Sequence, residues 1–128
     1  MGTKVMDLAD FAIDLCKNVW GSDLDYSLDS LKSVDDAIEQ ICSYDTDKKQ
    51  VIKPLIALGC YVGEVIIRNF KGEWADEIDT NGLPVGLKVG NVTLQPIRKV
   101  FRKYKEGEEH NIHHYVVISV VLSESFKQ

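Results

Sequence analysis

The sequence is poor in the residues from which catalytic and metal-binding motifs are built. It has three cysteines and three histidines, and no Cys-x-x-Cys pair occurs, which excludes a zinc knuckle and a thioredoxin-like redox motif. Cys16, Cys42 and Cys60 lie among apolar neighbours, so we expect three buried, reduced thiols. The sequence also contains no Walker loop, G-x-G-x-x-G, G-x-S-x-G or H-E-x-x-H motif. We therefore expect no cofactor, and no enzyme class is indicated.

We expect neither a membrane-spanning segment nor a signal peptide. The N-terminus carries acidic residues where a signal peptide needs an uninterrupted apolar segment. The most apolar windows, 55–67 and 115–122, are too short or too interrupted to cross a bilayer. With 45% hydrophobic and 27% charged residues, the composition is that of an ordinary soluble protein. The 128 residues therefore predict one cytoplasmic α+β domain, residues 1–128, with no membrane contact.

The formal charge of −5 is unevenly distributed along the chain. Residues 1–50 hold eleven acids and five bases, whereas residues 51–128 hold nine acids and ten bases. The acidic half argues against nucleic-acid binding and allows a basic protein partner. The alternative is a solvated face that only keeps the protein soluble. The candidate binding residues on this acidic helical face are Asp7, Asp10, Asp14, Asp29 and Asp36.

Helical periodicity dominates the first seventy residues. Apolar residues at spacings of three and four predict a first helix over residues 3–19, with Val19 in its buried stripe. The same spacing predicts a second helix that follows an N-cap at Ser27 and ends near residue 43. Residues 51–70 are apolar on nearly every side, so they predict a buried central helix about 30 Å long.

A small antiparallel sheet is predicted after the central helix, which ends at Gly72. Turn signals at residues 79–82 and 90–91 separate three β-prone segments. The predicted strands cover residues 73–78, 83–89 and 92–94. Because each connection is short, neighbouring strands should pair as an antiparallel meander.

Two helices are predicted after the sheet. Pro96 suits the first position of a fourth helix, where its missing N–H is harmless. The outward face of this helix is predicted to consist of Arg98, Lys99, Arg102, Lys103 and Lys105. Such a face could meet phosphates, but acids follow it at once, which favours a solvated face or pairing with the acidic helices. Residues 113–123 suit either a strand or a fifth helix.

The central helix carries the most suggestive candidate residues. Gly59 and Gly63 lie four apart on one face, and two helix-destabilising glycines there predict the close approach of another backbone. Glu64 is a carboxylate in an apolar helix, three residues after Tyr61 and four before Arg68, with Trp74 as a further candidate neighbour. It could therefore act as a general acid or base. The alternative is an ion pair with Arg68 and hydrogen bonds that join the helix to the sheet.

Three histidines occur close together near the start of the last segment. On a helix, His110 and His114 would share a face, which suits two imidazole ligands of a metal ion, and His113 is adjacent. No third ligand is evident in the sequence. We therefore favour polar residues at a helix entry over a metal site.

The segment from Gly59 to Trp74, GCYVGEVIIRNFKGEW, resembles a pattern of small, functionally uncharacterised bacterial proteins. That pattern is G-x-Y-x-G-E-x-I followed by G-x-W. The matching residues are Gly59, Tyr61, Gly63, Glu64, Ile66, Gly72 and Trp74. The resemblance covers residues 24–115 and implies a shared fold with a helical last segment, but no reaction. Some of these relatives resemble toxin-immunity or other small interaction proteins.

These observations favour a non-catalytic protein-interaction module of the immunity or inhibitor type, which presents its acidic helical face to a basic partner. Two alternatives stay open. One is an enzyme in which Glu64 acts in a cleft between the central helix and the sheet. The other is a structural or regulatory homodimer. A cleft that reaches Glu64 would favour the enzyme, whereas an exposed acidic patch would favour the interaction module.

Overall fold

The computed structural model describes residues 2–44, 47–107 and 111–125, and the side chains of residues 4–44, 47–107 and 111–122. These residues form an α+β fold with a long central helix and a three-stranded antiparallel sheet, as predicted. The elements in chain order are α1 (Gly2–Trp20), α2 (Ser30–Ser43), α3 (Lys48–Phe70), β1 (Glu73–Trp74), β2 (Leu87–Val89), β3 (Val92–Leu94), α4 (Pro96–Glu106) and α5 (Ile112–Ser125).

Helix α3 lies at the centre of the core. The Asp47 carboxylate caps its start by accepting a hydrogen bond from the Lys49 N–H at 3.0 Å. The helix ends at Lys71, which has the left-handed φ of 59°. Helices α1 and α4 pack against α3. Among the described residues, α3 alone is long and apolar enough to cross a membrane, but 67% of that apolar window is buried, as in the core helix of a soluble protein.

Helix α1 buries a narrow stripe of small residues against α3. Ala9, Ala12 and Cys16 are fully buried, and their small size lets the two helices approach closely. The prediction that Val19 belongs to this stripe is wrong, because its side chain is 52% exposed. Trp20, four residues after Cys16, packs against the core instead. Its Nε1 donates a hydrogen bond to the Tyr44 hydroxyl at 3.0 Å.

Helix α2 begins three residues after its predicted cap. The Ser27 hydroxyl accepts a hydrogen bond from the Ser30 N–H at 3.1 Å, which is the contact expected of an N-cap. The first backbone bonds, however, run from Ser30 to Ser27 and from Leu31 to Leu28. These are 3₁₀-type bonds, so regular α-helix starts only at Ser30.

The sheet has the predicted order β1-β2-β3 and antiparallel pairing, but its first two strands are shorter than predicted. Leu87 pairs with both Trp74 and Leu94. Beyond Trp74 the ladder is interrupted, and only an isolated bridge between Ile78 and Pro84 follows. Backbone hydrogen bonds from Val85 N–H to the Glu77 carbonyl and from Asp79 N–H to the Leu83 carbonyl flank this bridge.

The last segment is a helix, as the resemblance implied. Two of its first N–H groups, those of Ile112 and His113, donate to the Asp35 carboxylate at 2.7 and 3.1 Å. The N–H of His114 donates to the Asn111 side chain at 2.8 Å. These acceptors satisfy N–H groups that have no partner within the helix, which offsets the β-preference of the valines and isoleucines that follow.

Candidate functional site

Glu64 joins the central helix to the sheet. Its side chain lies in the buried middle of α3, where the residue is 8% exposed. Oε2 accepts a hydrogen bond from Trp74 Nε1 at 3.0 Å, and Oε1 lies 4.0 Å from Arg68 Nε. Trp74 belongs to β1, so this hydrogen bond fixes the position of the sheet on α3. These are the contacts expected if Glu64 pairs with Arg68 and joins the helix to the sheet, rather than acting as an acid or base.

The two glycines of α3 make room for its neighbours. A Cβ atom on Gly59 would lie 2.5 Å from the Cα of Ile97 in α4, which confirms the predicted approach of another backbone. At Gly63 the neighbour is a side chain, because a Cβ there would lie 2.1 Å from Cζ2 of Trp74. Gly63 therefore provides the space in which Trp74 reaches Glu64.

Tyr61 contacts the loop before α2 rather than Glu64. Its hydroxyl accepts a hydrogen bond from the Tyr26 N–H at 2.8 Å and lies 2.6 Å from the Ser30 hydroxyl. The two tyrosine rings stack with centroids 5.0 Å apart, and burial raises the pKa of Tyr61. Tyr61 is thus kept in its neutral, hydrogen-bonding form and holds the loop against α3.

Arg68 covers the other face of Tyr26. The guanidinium carbon lies 3.6 Å from the ring centroid, a cation–π distance. Tyr26 has the left-handed φ of 64°, which is strained for a side chain of this size. Its carbonyl accepts a hydrogen bond from Asn69 Nδ2 at 2.9 Å. Contacts on both faces and on the backbone therefore hold Tyr26 in this conformation.

The Glu64 cluster, which comprises Tyr26, Ser30, Tyr61, Glu64, Arg68 and Trp74, has the features of a structural network. Within the described residues, every buried side-chain nitrogen and oxygen atom has a hydrogen-bond partner. Glu64 does not line any of four hollows on the described surface. The contacts of the cluster join the loop, α3 and β1.

The acidic residues of α1 form a row on the outer side of that helix. Asp7, Asp10 and Asp14, the acidic row, recur at spacings of three and four and are all exposed. Seven residues of helix make the row about 10 Å long. None of the three carboxylates has an ion-pair partner in the part of the chain that the structure describes.

The other two predicted binding acids lie on or next to α2. Asp29 is exposed and pairs with Lys32 at 3.6 Å. Asp36 is exposed and lines a hollow of about 350 Å³ between the end of α1 and α2. Helix α1 packs on α3, whereas α2 packs mainly on α4 and α5. Three of the five acids therefore belong to α1 and two to the start and middle of α2, and their union in one binding face stays a prediction.

A buried ion pair joins α2 and α4, and it corresponds to one of the two alternatives for the basic face, pairing with the acidic helices. Lys103 was predicted to face solvent, which is wrong, because its side chain is 2% exposed. Its Nζ lies 3.2 Å from Asp35 and 3.5 Å from the half-exposed Glu39. A signal was present, since Lys103 lies three residues after the buried Val100 and Asp35 lies four after the buried Leu31. Two opposite charges on two apolar stripes indicate such a pair.

The cysteines differ from one another in exposure. Cys16 and Cys60 are buried, as predicted, and burial raises the pKa of their thiols to about 11 and about 12. The prediction of a buried Cys42 is wrong, because this residue is exposed on the last turn of α2. Its thiol donates to the Tyr104 carbonyl at 3.3 Å. The thiolate is the reactive form, so the two buried thiols are chemically inert.

The histidines do not define a metal site in the described structure. His114 is exposed and His113 is partly exposed, both on the first turn of α5. His110 lies outside the described residues, so its pairing with His114 stays a prediction. In the regions 2–44, 47–107 and 111–125, no group of three or more His, Cys, Asp or Glu residues could hold a metal ion.

Comparisons with known proteins identify the fold but no family. No family model matches the chain, and no curated protein matches its sequence. Among solved structures, the chain is similar to a crystal structure of a protein from Bacteroides thetaiotaomicron VPI-5482, with a TM-score of 0.71 and 18% identity over 92% of this chain. The match covers 43% of the Bacteroides protein, whose function is uncharacterised. This likeness supports the fold alone, and the chain spans less than half of that protein's length.

Proposed function

We propose that this protein is a cytoplasmic, non-catalytic interaction module of the immunity or inhibitor type, and that the acidic row of α1 binds a basic protein. The observation that carries the proposal is the contrast between two sets of carboxylates. Asp7, Asp10 and Asp14 are exposed and lack ion-pair partners in the described structure. Glu64, the candidate catalytic residue, is buried and bonded to Trp74.

The mechanism of binding follows from the geometry of α1. The helix is held on α3 by Ala9, Ala12 and Cys16, so its outer face is presented on a rigid support. Carboxylates about one helical turn apart match lysine and arginine side chains that are similarly spaced on a partner helix or strand. Complementary charges of this kind accelerate association and select the partner more than they increase affinity.

The test is capture of the partner by tagged protein from a lysate of the source organism, followed by mass spectrometry. The wild-type protein is compared with the variant Asp7→Lys/Asp10→Lys/Asp14→Lys. We expect the wild type to retain a basic protein in stoichiometric amount and the variant to lose it. Circular dichroism is the control for folding. The variant should keep the helix content of the wild type, because the three substitutions lie on the exposed face.

A matched control changes the net charge equally at another place. Glu73, Asp76 and Glu77 are exposed residues of the sheet region, and their reversal to lysine should leave the complex intact. If the α1 variant still retains the partner, or if both variants lose it equally, the proposal is wrong. A stoichiometric partner that is lost only by reversal of Asp29 and Asp36 would move the binding face to α2.

A second candidate function, a structural or regulatory homodimer, is favoured by the surface of α5. Ile118 and Leu122 lie four residues apart and are 45% and 50% exposed. Exposed apolar side chains on one helix face are typical of a protein interface. Size-exclusion chromatography with light scattering would detect the dimer, and Ile118→Lys/Leu122→Lys should return it to a monomer. A wild-type monomer at high concentration would contradict this candidate.

The enzyme alternative stays a prediction. It requires Glu64 to leave its hydrogen bond with Trp74 and to face a substrate. Screening metabolites for binding to the wild type and to Glu64→Gln tests it directly, since a substrate that contacts the carboxylate should bind the two proteins differently.

A further inference from the structure

A hollow on the surface of α4 is lined mainly by positive charge. Its volume is about 300 Å³, and its lining residues are Gln95, Arg98, Lys99, Arg102 and Tyr115. We call it the cationic hollow. Three of its five lining residues are basic and none is acidic. A volume near 300 Å³ lies at the lower end of the range for small-molecule sites.

The first turn of α4 adds to the positive potential at the hollow. Pro96 occupies the start of the helix, and the preceding Gln95 makes no side-chain cap. Its amide oxygen instead lies 3.5 Å from Arg98. The N–H groups of a first helical turn have no partner within the helix, and they carry partial positive charge. The start of α4 lies at the edge of the hollow, because Gln95 and Arg98 both line it.

Tyr115 of α5 supplies a hydrogen-bond donor at the wall of the hollow. Its hydroxyl oxygen accepts the Gln95 N–H at 3.2 Å. The phenolic proton is therefore directed away from that bond, and burial raises the pKa of Tyr115, which keeps the proton in place. The Lys99 ammonium lies 5.1 Å from the centre of the Tyr115 ring. The wall thus combines an apolar ring with a donor hydroxyl.

Glu106 lies near two of the three basic residues of the hollow. Arg102 pairs with Glu106 at 3.3 Å on the exposed surface of α4. Burial and the nearby Arg102 both lower the pKa of Lys99, although Glu106 opposes this effect. Burial is the first cause of this shift, and repulsion by Arg102 is the second. An anion bound in the hollow would offset the repulsion between Lys99 and Arg102.

We propose that the cationic hollow binds a small phosphorylated molecule through Arg98, Lys99, Arg102 and the Tyr115 hydroxyl. A phosphate group carries up to two negative charges and offers three or more acceptor oxygens, which suits several convergent donors better than a single carboxylate does. Arginine side chains bind phosphate oxygens in pairs, and the Tyr115 ring offers an apolar surface for the rest of the ligand. This inference is independent of the acidic row on α1.

The test is isothermal titration calorimetry with inorganic phosphate and pyrophosphate at low ionic strength. We expect pyrophosphate to bind at one site per chain, and Arg98→Gln/Arg102→Gln to weaken that binding by about tenfold or more, since charge-assisted hydrogen bonds are lost. Both arginines are exposed, so the fold should be retained. If the double variant unfolds, Arg98→Gln alone keeps the Arg102–Glu106 pair and still removes one phosphate ligand.

The matched control removes two positive charges elsewhere. Lys88 on β2 and Lys105 on α4 are exposed and do not line the hollow, so Lys88→Gln/Lys105→Gln should bind pyrophosphate like the wild type. No binding by the wild type, or equal weakening in both variants, would overturn the proposal. A short single-stranded oligonucleotide is titrated in parallel. Binding of the oligonucleotide through the same arginines, without binding of pyrophosphate, would overturn it in favour of a nucleic-acid surface.

Discussion

The buried ion pair between Lys103 and Asp35 should be a large contributor to fold specificity and a sensitive point for stability. The two side chains are 2% and 5% exposed, so removal of either partner leaves a charge in a region with little water. Removal of one member of such a pair costs about 3–5 kcal/mol. That is a large part of the roughly 5–15 kcal/mol by which domains are stable.

The two single substitutions should differ in a way that the contacts predict. After Lys103→Met, the Asp35 carboxylate still accepts hydrogen bonds from the N–H groups of Ile112 and His113. We therefore expect the free energy of unfolding of this variant to fall by about 3 kcal/mol, the lower end of the range given above. After Asp35→Asn, Lys103 retains only the half-exposed Glu39 at 3.5 Å, and the cap of α5 is weakened. This variant should lose about 4 kcal/mol or more.

The double variant distinguishes a pair interaction from two independent effects. Asp35→Asn/Lys103→Met removes both charges but keeps an acceptor oxygen for α5. Since neutral replacements of buried ion pairs are often tolerated, we expect it to lie within about 2 kcal/mol of the wild type. Urea unfolding followed by circular dichroism gives the four free energies of the cycle. Lys105→Met, an exposed position two residues further along α4, is the control.

Two results would refute this reasoning. Additive losses in the double variant would mean that the two charges do not stabilise each other. If the free energy of unfolding fell by less than about 1 kcal/mol in both single variants, the pair would have to be solvated, as surface pairs are.

Three further predictions concern the core and the thiols. Gly63→Ala should destabilise the fold by about 1–3 kcal/mol in urea unfolding, because its Cβ would meet the Trp74 ring at 2.1 Å; a stabilised variant would contradict the contact. Tyr61→Phe should cost about 1–3 kcal/mol by leaving the Tyr26 N–H without its acceptor, and an unchanged midpoint would show that water replaces the hydroxyl. A thiol reagent at pH 8 should label only Cys42 in the native protein, since the other two thiols are buried, and all three after denaturation; rapid native labelling of more than one thiol would contradict their burial.

The arrangement of helices could be predicted from the sequence because each helix carries its own apolar period. Residues 51–70 are apolar on nearly every side, and only a helix at the centre of the fold can bury such a surface. Strand lengths could not be predicted equally well. The segment 73–78 has a strand-like composition, but regular pairing ends at Trp74, and only the isolated bridge between Ile78 and Pro84 lies beyond it. Pairing depends on both segments, whereas composition describes one.

The surroundings of Glu64 were less predictable than its burial. Its position in an apolar helix indicated a shielded carboxylate, and that is observed. Trp74, a candidate neighbour of Glu64, does donate a hydrogen bond to it. Tyr61, the candidate nearer in sequence, contacts the loop before α2 instead, and the three-residue spacing on the helix does not specify that contact. Lys103 was misplaced for a different reason: a lysine is expected on the surface, and only the matching Asp35 on another helix reveals the exception.

The measurement that most directly tests the central claim, partner binding by the acidic row, is the affinity of the recovered partner for three proteins. These are the wild type, the Asp7→Lys/Asp10→Lys/Asp14→Lys variant and the Glu73→Lys/Asp76→Lys/Glu77→Lys control, each titrated by calorimetry at low and high salt. We expect the α1 variant to bind at least about a hundredfold more weakly, the control to match the wild type, and wild-type affinity to fall as salt is added. Equal affinities for all three proteins, or binding insensitive to salt, would contradict the account.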